Sequence, residues 1–491
     1  MSFFHGRIPQ RLKLIHGTGA VAFGVKDSGF SFFLLPYYNL VLGVDAGLVG
    51  AALATALVID ALVDPLIGHL SDRTYTRWGR RLPWLYFAPL PLAVLWTLLW
   101  SPPFTGSPTF WEIVVLAVGV RLLLSACEVP AVSLVPELTD DYDERTTLFR
   151  YRFLSGWIGG LAMMVLAFTV FLPTPEAQLQ REGYAHYGMF GAAMIALFTI
   201  GSAIGLHSTV AKLPDRRPPP FSLRGAFSEI FDAFRERAFI IYALGGLAAY
   251  VAQGMTFSVT QYVNLYVWQF NDLAFQVYPA VLFVSVILMF VIVGPLHRIW
   301  GKPKTAAIAA IVSFILYFTP YALLLLGLWP PTGGTASTSM LFVFLTFANT
   351  ASVVALISAT SMVAEIVEAY EERTGKRAEG TFYSGNWLVQ KCATGGGILL
   401  TSLMVQSIGL APGTPPSAVE QSTVNQLALL YLLASAVLTV CAAFWLGRFP
   451  ITREQHEARV AARYAKPAHP APDDPIDAAA RADPDGRAIT P

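Results

Sequence analysis

Twelve apolar stretches, each long enough to cross a bilayer as a helix, follow one another through this sequence. They fall at about 18–42, 47–70, 83–101, 110–135, 152–172 and 187–207, then 239–267, 277–298, 304–327, 339–366, 383–407 and 425–447. A hydrocarbon core about 30 Å thick takes roughly 20 residues of helix. Lipid offers open backbone groups no partner, so each stretch is expected to be helical. Composition closes off the soluble alternative. Only 13% of the 491 residues are charged, about half the globular norm of roughly 25%. The chain is expected to be an all-α, multi-pass membrane protein.

The stretches divide six and six. Residues 1–207 form a first half and 239–451 a second, joined by a polar connection at 208–238 that contains Pro218, Pro219 and Pro220. Residues 452–491, rich in Ala, Pro, Asp and Arg, read as a disordered tail. Basic residues set the orientation. With the N-terminus inside, the outward loops hold only Arg181. The inward segments hold Arg7, Arg11, Lys13, the run Arg73 to Arg81, Lys212 to Arg237, His297 to Lys304 and Arg373 to Arg377. Both termini are therefore expected in the cytoplasm, with the protein in the cell (inner) membrane. The first fifteen residues are polar and basic, so no cleavable leader is expected. Lys and Arg (33) balance Asp and Glu (32), which gives no basic excess to argue for nucleic acid. The three cysteines, Cys127, Cys392 and Cys441, match neither a disulfide framework nor a metal pattern.

A repeat supports the division. Pro136-Glu-Leu-Thr-Asp-Asp-Tyr-Asp-Glu-Arg-Thr146 follows the fourth stretch and Ala364-Glu-Ile-Val-Glu-Ala-Tyr-Glu-Glu-Arg-Thr374 follows the tenth. Asp64-Pro-Leu and Trp78-Gly-Arg after the second stretch are echoed by Gly294-Pro-Leu and Trp300-Gly-Lys after the eighth. Equivalent loops six helices apart imply parallel halves related by an axis along the membrane normal, a construction suited to alternating access.

Charges inside lipid need a reason, since one at mid-bilayer costs at least about 2.5–3.5 kcal/mol. Asp60 and Asp64 are four residues apart and so share one helical face. Such a pair is expected either to share a proton or to hold a cation. Arg121, Ser125 and Glu128 share a face of the fourth stretch, with Arg121 open to a structural ion pair. Lys26 and Asp27 are adjacent, so at least one is expected to face a cavity. Arg152 opens the fifth stretch, and Lys391 lies in the otherwise uncharged eleventh, beside Gly395-Gly-Gly397. Those glycines suit close helix packing. At the repeat-equivalent of Asp64 the second half has Gly294, so a cation site is expected in the first half, with Lys391 approaching from the other side. Trp157, Tyr37, Tyr38 and Tyr250 are candidate stacking faces for a sugar ring. No nucleophile–base pair, metal cluster or phosphate loop suggests an enzyme or a catalytic residue.

Gly68-His-Leu-Ser-Asp72-Arg73-Thr-Tyr-Thr-Arg77-Trp78-Gly79-Arg80-Arg81 resembles the loop two–three signature of the major facilitator superfamily. Asp60-Ala-Leu-Val-Asp64-Pro-Leu-Ile-Gly68, Glu128-Val-Pro-Ala-Val-Ser-Leu-Val-Pro136, Tyr151-Arg152-Phe153 and Val389-Gln390-Lys391 resemble segments of its glycoside–pentoside–hexuronide:cation symporters. The similarity covers about residues 15–447. It implies the major facilitator fold, with twelve helices in two pseudo-symmetric halves. It also implies that Asp60, Asp64 and Ser125 bind a cation, and that Asp27, Glu128, Arg152 and Lys391 bind substrate. Val63 stands where a sodium-using relative can present an amide, which tilts the coupling ion towards H⁺ over Na⁺. Val132 replaces an aromatic, which argues against a galactoside-type stacking platform.

The expected activity is symport of a small solute, a sugar, glycoside or uronate, with H⁺ or Na⁺, by a monomer that needs no other cofactor. The metal, if any, is Na⁺ at Asp60 and Asp64. Asp72, Arg73, Arg145, Glu372 and Arg373 are expected to form cytoplasmic salt bridges between the halves. The rival expectations are a lysolipid or amphiphile symporter on the same fold and a non-transporting sensor.

Overall fold

The computed structural model describes residues 7–104, 106–139, 141–211, 232–375 and 378–450. Residues 212–231 of the central connection at 208–238, and the whole tail at 452–491, lie outside the described residues. Among the described residues, ten helices are long and apolar enough to span. One of them, Asp272–Leu325, has 54 residues, a length of about 80 Å. That exceeds two bilayer cores, and the helix turns back at Gly301, whose φ of +72° suits glycine. The first segment escapes a simple length criterion because it is broken into Gln10–Thr18, Val21–Ser28, Gly29–Phe33, Leu34–Pro36 and Tyr37–Val41. Splitting the one and counting the other yields twelve segments, as the sequence predicts.

These are α1 (10–41), α2 (Ala46–Arg73), α3 (Leu82–Trp100), α4 (Phe110–Leu138), α5 (Glu144–Phe171) and α6 (Arg181–Val210), then α7 (Arg237–Val267), α8 and α9 (272–300 and 302–325), α10 (Thr335–Thr374), α11 (Gly380–Ser407) and α12 (Gln421–Leu446). Side-chain caps begin several of them at the end away from the Arg73–Arg81 loop. Asp45 accepts from Leu48 N–H at 3.0 Å on α2, Glu112 accepts from Thr109 N–H at 2.7 Å on α4, and Asn271 accepts from Ala274 N–H at 2.9 Å on α8. Such side chains satisfy amides that the helix leaves orphaned. α1, α5 and α7 each finish at that end in a π-helical turn, at Tyr37–Val41, Ala167–Phe171 and Val263–Val267.

The repeat read in the sequence returns as one contact made twice. In the first half Arg80 of the Trp-Gly-Arg loop pairs with Glu137 at 3.0 Å, and in the second Lys302 of Trp-Gly-Lys pairs with Glu365 at 3.1 Å. Gly79 and Gly301 both sit at positive φ, which turns the loop so that the following cation reaches the helix opposite.

The halves meet through small residues at the end away from those loops. A Cβ on Gly50 of α2 would lie 1.8 Å from Ser402 Oγ of α11, so only glycine permits this approach. Gly395 lies against Ala54 of α2, and a Cβ on Gly397 would be 2.3 Å from the Val251 carbonyl of α7. The triple glycine therefore lets α11 sit between both helices, as expected of it. Around this contact, hydrogen bonds without an ion pair join the halves: Tyr262 donates to Asn39 at 2.9 Å, Gln406 donates to the Asp45 carboxylate at 3.1 Å, and Gln261 bonds Gln178.

A larger residue at Gly50 should wedge this seal open, since overpacking costs about 1–3 kcal/mol. In a Gly50→Val background, alkylation of an Asn39→Cys thiol, at a position this contact buries, should run at least about fivefold faster than with Gly50. An unchanged rate would mean that this contact does not close the end.

Candidate functional site

α2 and α4 run parallel, and two ladders of four-residue steps face each other across them. Asp60, Asp64 and Gly68 on α2 stand opposite Arg121, Ser125 and Val129 on α4. Arg121 Nη1 donates to Asp60 Oδ2 at 2.8 Å. The Ser125 hydroxyl lies 2.9 Å from Asp60 Oδ1 and 2.7 Å from Asp64 Oδ1. It has one proton, so it serves one carboxylate at a time. From α11, in the other half, Lys391 Nζ reaches Asp60 Oδ2 at 2.9 Å and Asp64 Oδ2 at 2.5 Å.

The acid pair is thus held differently from the sequence expectation. A shared proton or a visiting cation is expected of two lone carboxylates; here two of the protein's own cations neutralise them. The physical reason is burial. Asp60 is 3% and Asp64 20% exposed, and an unpaired charge so placed is strongly destabilising. Arg121 closes the site from the acids' own half and Lys391 from across the interface. The two cations differ in permanence. Arg121 is 7% exposed and packs over the Phe30 ring at 4.6 Å, whereas Lys391 is 26% exposed.

A second cluster lies beside the first. Glu128 and Arg152 line a small cavity between α1, α3, α4, α5 and α6 together with Thr199 and Ser202. Among the described residues Arg152 Nη1 and Thr199 Oγ1 are buried without a hydrogen-bond partner. Such spare hydrogen-bonding capacity can receive a hydroxyl-rich or charged ligand, because unmet buried groups are costly. Of the adjacent pair in α1, Lys26 is the buried member (8% exposed) and Asp27 the exposed one, with 3.7 Å between Nζ and Oδ1.

The stacking candidates separate. Tyr37 and Tyr38 are fully buried, donating to the Trp100 carbonyl at 2.7 Å and the Leu99 carbonyl at 2.9 Å, and Tyr250 is buried against Asn386. They are core, not cavity lining. Trp157 is exposed.

Among the residues expected to form cytoplasmic salt bridges, four have these partners in the structure. Asp72 pairs with Arg81, Arg73 Nη1 lies 2.8 Å from His69 Nδ1, Arg145 donates to the Thr139 carbonyl at 2.9 Å, and Arg373 pairs with Glu236. Glu372, next to Arg373, lies at the same end of α10. The structural ion pair to which Arg121 is open in the sequence is made with Asp60, and Arg121 stands one turn from Ser125 on the face that meets the acids.

A family model described as "MFS/sugar transport protein" matches residues 15–453. The chain belongs to this family. It is accordingly a membrane transporter and not an enzyme, and the resemblance to the glycoside–pentoside–hexuronide:cation symporters holds. One similar protein is an uncharacterized symporter of Synechocystis sp., 25% identical, with 90% of this chain and 95% of the relative covered. Another is the isoprimeverose transporter of Lactiplantibacillus pentosus, 33% identical over 33% of this chain and 34% of that one. Among solved structures, a bacterial homologue of the human lysosomal transporter Spinster, inward-facing and occupied, superposes with a TM-score of 0.65 at 14% identity, covering 90% of this chain and 98% of that one. At that identity it attests the major facilitator fold alone.

Ser125 is the residue both acids share, so its removal tests the quartet. Ser125→Ala should destabilise the detergent-purified protein by about 1–3 kcal/mol, since it strands acceptors that burial hides from water. Ser125→Thr, which keeps the hydroxyl, should melt near wild type. Equal melting of Ala and Thr variants would show that the hydroxyl bonds neither acid.

Proposed function

We propose that this protein is a symporter that carries a sugar, glycoside or uronate together with H⁺ or Na⁺ by alternating access. The observation that carries the reading is the Lys391 bridge. A side chain of the second half neutralises Asp60 and Asp64 of the first, so a cation arriving at the acids competes with the link between the halves. Ion binding then frees α11 from α2, and substrate held by Glu128, Arg152 and Asp27, with Lys391 released towards it, joins the halves again. Coupling is the difference between closing around both ligands and closing around one. The substrate class is supported by the family's description as sugar transport and by the isoprimeverose transporter among its relatives.

The positive-inside pattern supports a location in the inner membrane with both termini cytoplasmic. In that orientation the inter-half hydrogen bonds around Asn39, Asp45 and Gln178 lie on the outer side. On the cytoplasmic side Asp72 pairs with Arg81 of its own half, and Arg373 pairs with Glu236 at the start of α7. This pattern supports an inward-facing state, in which Lys391 occupies the acids after the ion has left. The five expected gate residues, Asp72, Arg73, Arg145, Glu372 and Arg373, would exchange partners across the halves when the outer side opens.

A proteoliposome screen of sugars, glycosides and uronates, with pH and Na⁺ gradients imposed separately, tests the proposal. Wild type should accumulate at least one of these solutes, and Asp64→Cys should lose accumulation while still exchanging solute across the membrane. Undiminished gradient-driven accumulation by Asp64→Cys would remove the acids from the coupling step.

A further inference from the structure

We infer that Arg121 decides which ions this site accepts: its guanidinium occupies the position on Asp60 that a metal cation would need, and so excludes Na⁺ and Li⁺. The inference rests on the symport reading and adds the residue that sets ion choice. Three of the four carboxylate oxygens have a protein donor at any moment, and the fourth is the Oδ1 that the Ser125 hydroxyl is not serving. Asp60 Oδ2 takes Arg121 and Lys391, Ser125 lies between the two Oδ1 atoms, and Asp64 Oδ2 takes Lys391.

Lys391 belongs to the other half and is 26% exposed, so movement of the halves can withdraw it. Arg121 has no such exit. It sits on α4 in the same half as the acids, is 7% exposed, and is packed on Phe30. Its charge is permanent, because a guanidinium does not deprotonate in proteins. Two acids with no fixed cation would hold a metal ion and Lys391 together with no excess charge. With Arg121 present, the two acids and Lys391 are already balanced, and withdrawing Lys391 exposes a single net negative charge.

A metal ion entering then meets the guanidinium on Asp60 as a like charge. It has Asp64 and the Ser125 hydroxyl left, a short list for a hard cation that collects several oxygens. Val63, beside Asp64, offers no side-chain oxygen.

The test is calorimetric titration of NaCl and LiCl, against choline chloride, into the full-length protein purified in detergent. Wild type and Arg121→Lys, which keeps the charge, should give no binding heat. Arg121→Ala and Arg121→Gln should bind Na⁺ or Li⁺ at least roughly tenfold more tightly than wild type. Saturable Na⁺ binding by wild type would overturn the inference, and so would silence from either neutral variant whose melting curve shows it folded. If neither neutral variant folds, the wild-type titration decides alone. Failure of gradient-driven uptake would strike the symport reading, whereas a gain of Na⁺ heat on removing Arg121 would still stand.

Discussion

The molecule is organised around the need to bury two carboxylates in the first half without leaving either unpaired. Asp60 is almost wholly enclosed and Asp64 largely so. Each charge would cost several kcal/mol if it stood alone in this environment. Arg121 meets part of that demand from the same half, and Lys391 completes it from the other. The division matters. If both cations came from the first half, the acids would have no stake in where α11 lies. Because one comes from α11, the electrostatics of a buried pair is tied to the relative position of the halves.

That tie works because the surrounding contact is thin and, among the described residues, holds no ion pair of its own. α11 approaches α2 through Gly50, Ser402 and Gly395, and α7 through Gly397, with backbones too close for side chains between them. The bonds that flank this contact, Tyr262 to Asn39 and Gln261 to Gln178, are between uncharged groups. Uncharged hydrogen bonds contribute about 0.5–1.5 kcal/mol net, so a few of them seal an end without locking it. The charged pairs lie instead within each half, where Arg80–Glu137 and Lys302–Glu365 brace the loops as rigid parts of their own bundle.

Most of this scaffold was legible in the sequence because lipid enforces it. Each helix needs its apolar run, and the Trp-Gly-Arg and Trp-Gly-Lys loops announce the symmetry that their ion pairs display. The exceptions were local: the breaks in α1 come from a turn at 19–20 and two π-helical stretches that hydropathy does not register, and Tyr37 and Tyr38 read as candidate stacking faces but fill the core. The site was legible as a set of residues and not as a set of partnerships. Spacing puts Asp60 with Asp64, and Arg121 with Ser125, since each pair lies on one helix. Which face of α4 meets which face of α2, and how far Lys391 reaches from α11, depend on packing between helices that no single helix records. For the same reason the adjacent pair Lys26-Asp27 could not be ordered by sequence: a rotation of α1 by about 100°, the angle between successive residues, decides which of them is buried.

The two halves are alike where they are built and unlike where they hold charge. The bracing ion pairs and the positive-φ glycines recur six helices apart. The acids do not: the position equivalent to Asp64 is Gly294, and among the described residues nothing lies within 4 Å of where its Cβ would be. A fully symmetric molecule with acids in both halves would repel itself across the interface and would need a cation for each. Concentrating the negative charge in one half and sending a single lysine from the other converts repulsion into an attraction that is satisfied in one arrangement of the halves and must be replaced in any other. Whatever takes Lys391's place has to carry positive charge and be able to leave, and this requirement follows from the asymmetry alone.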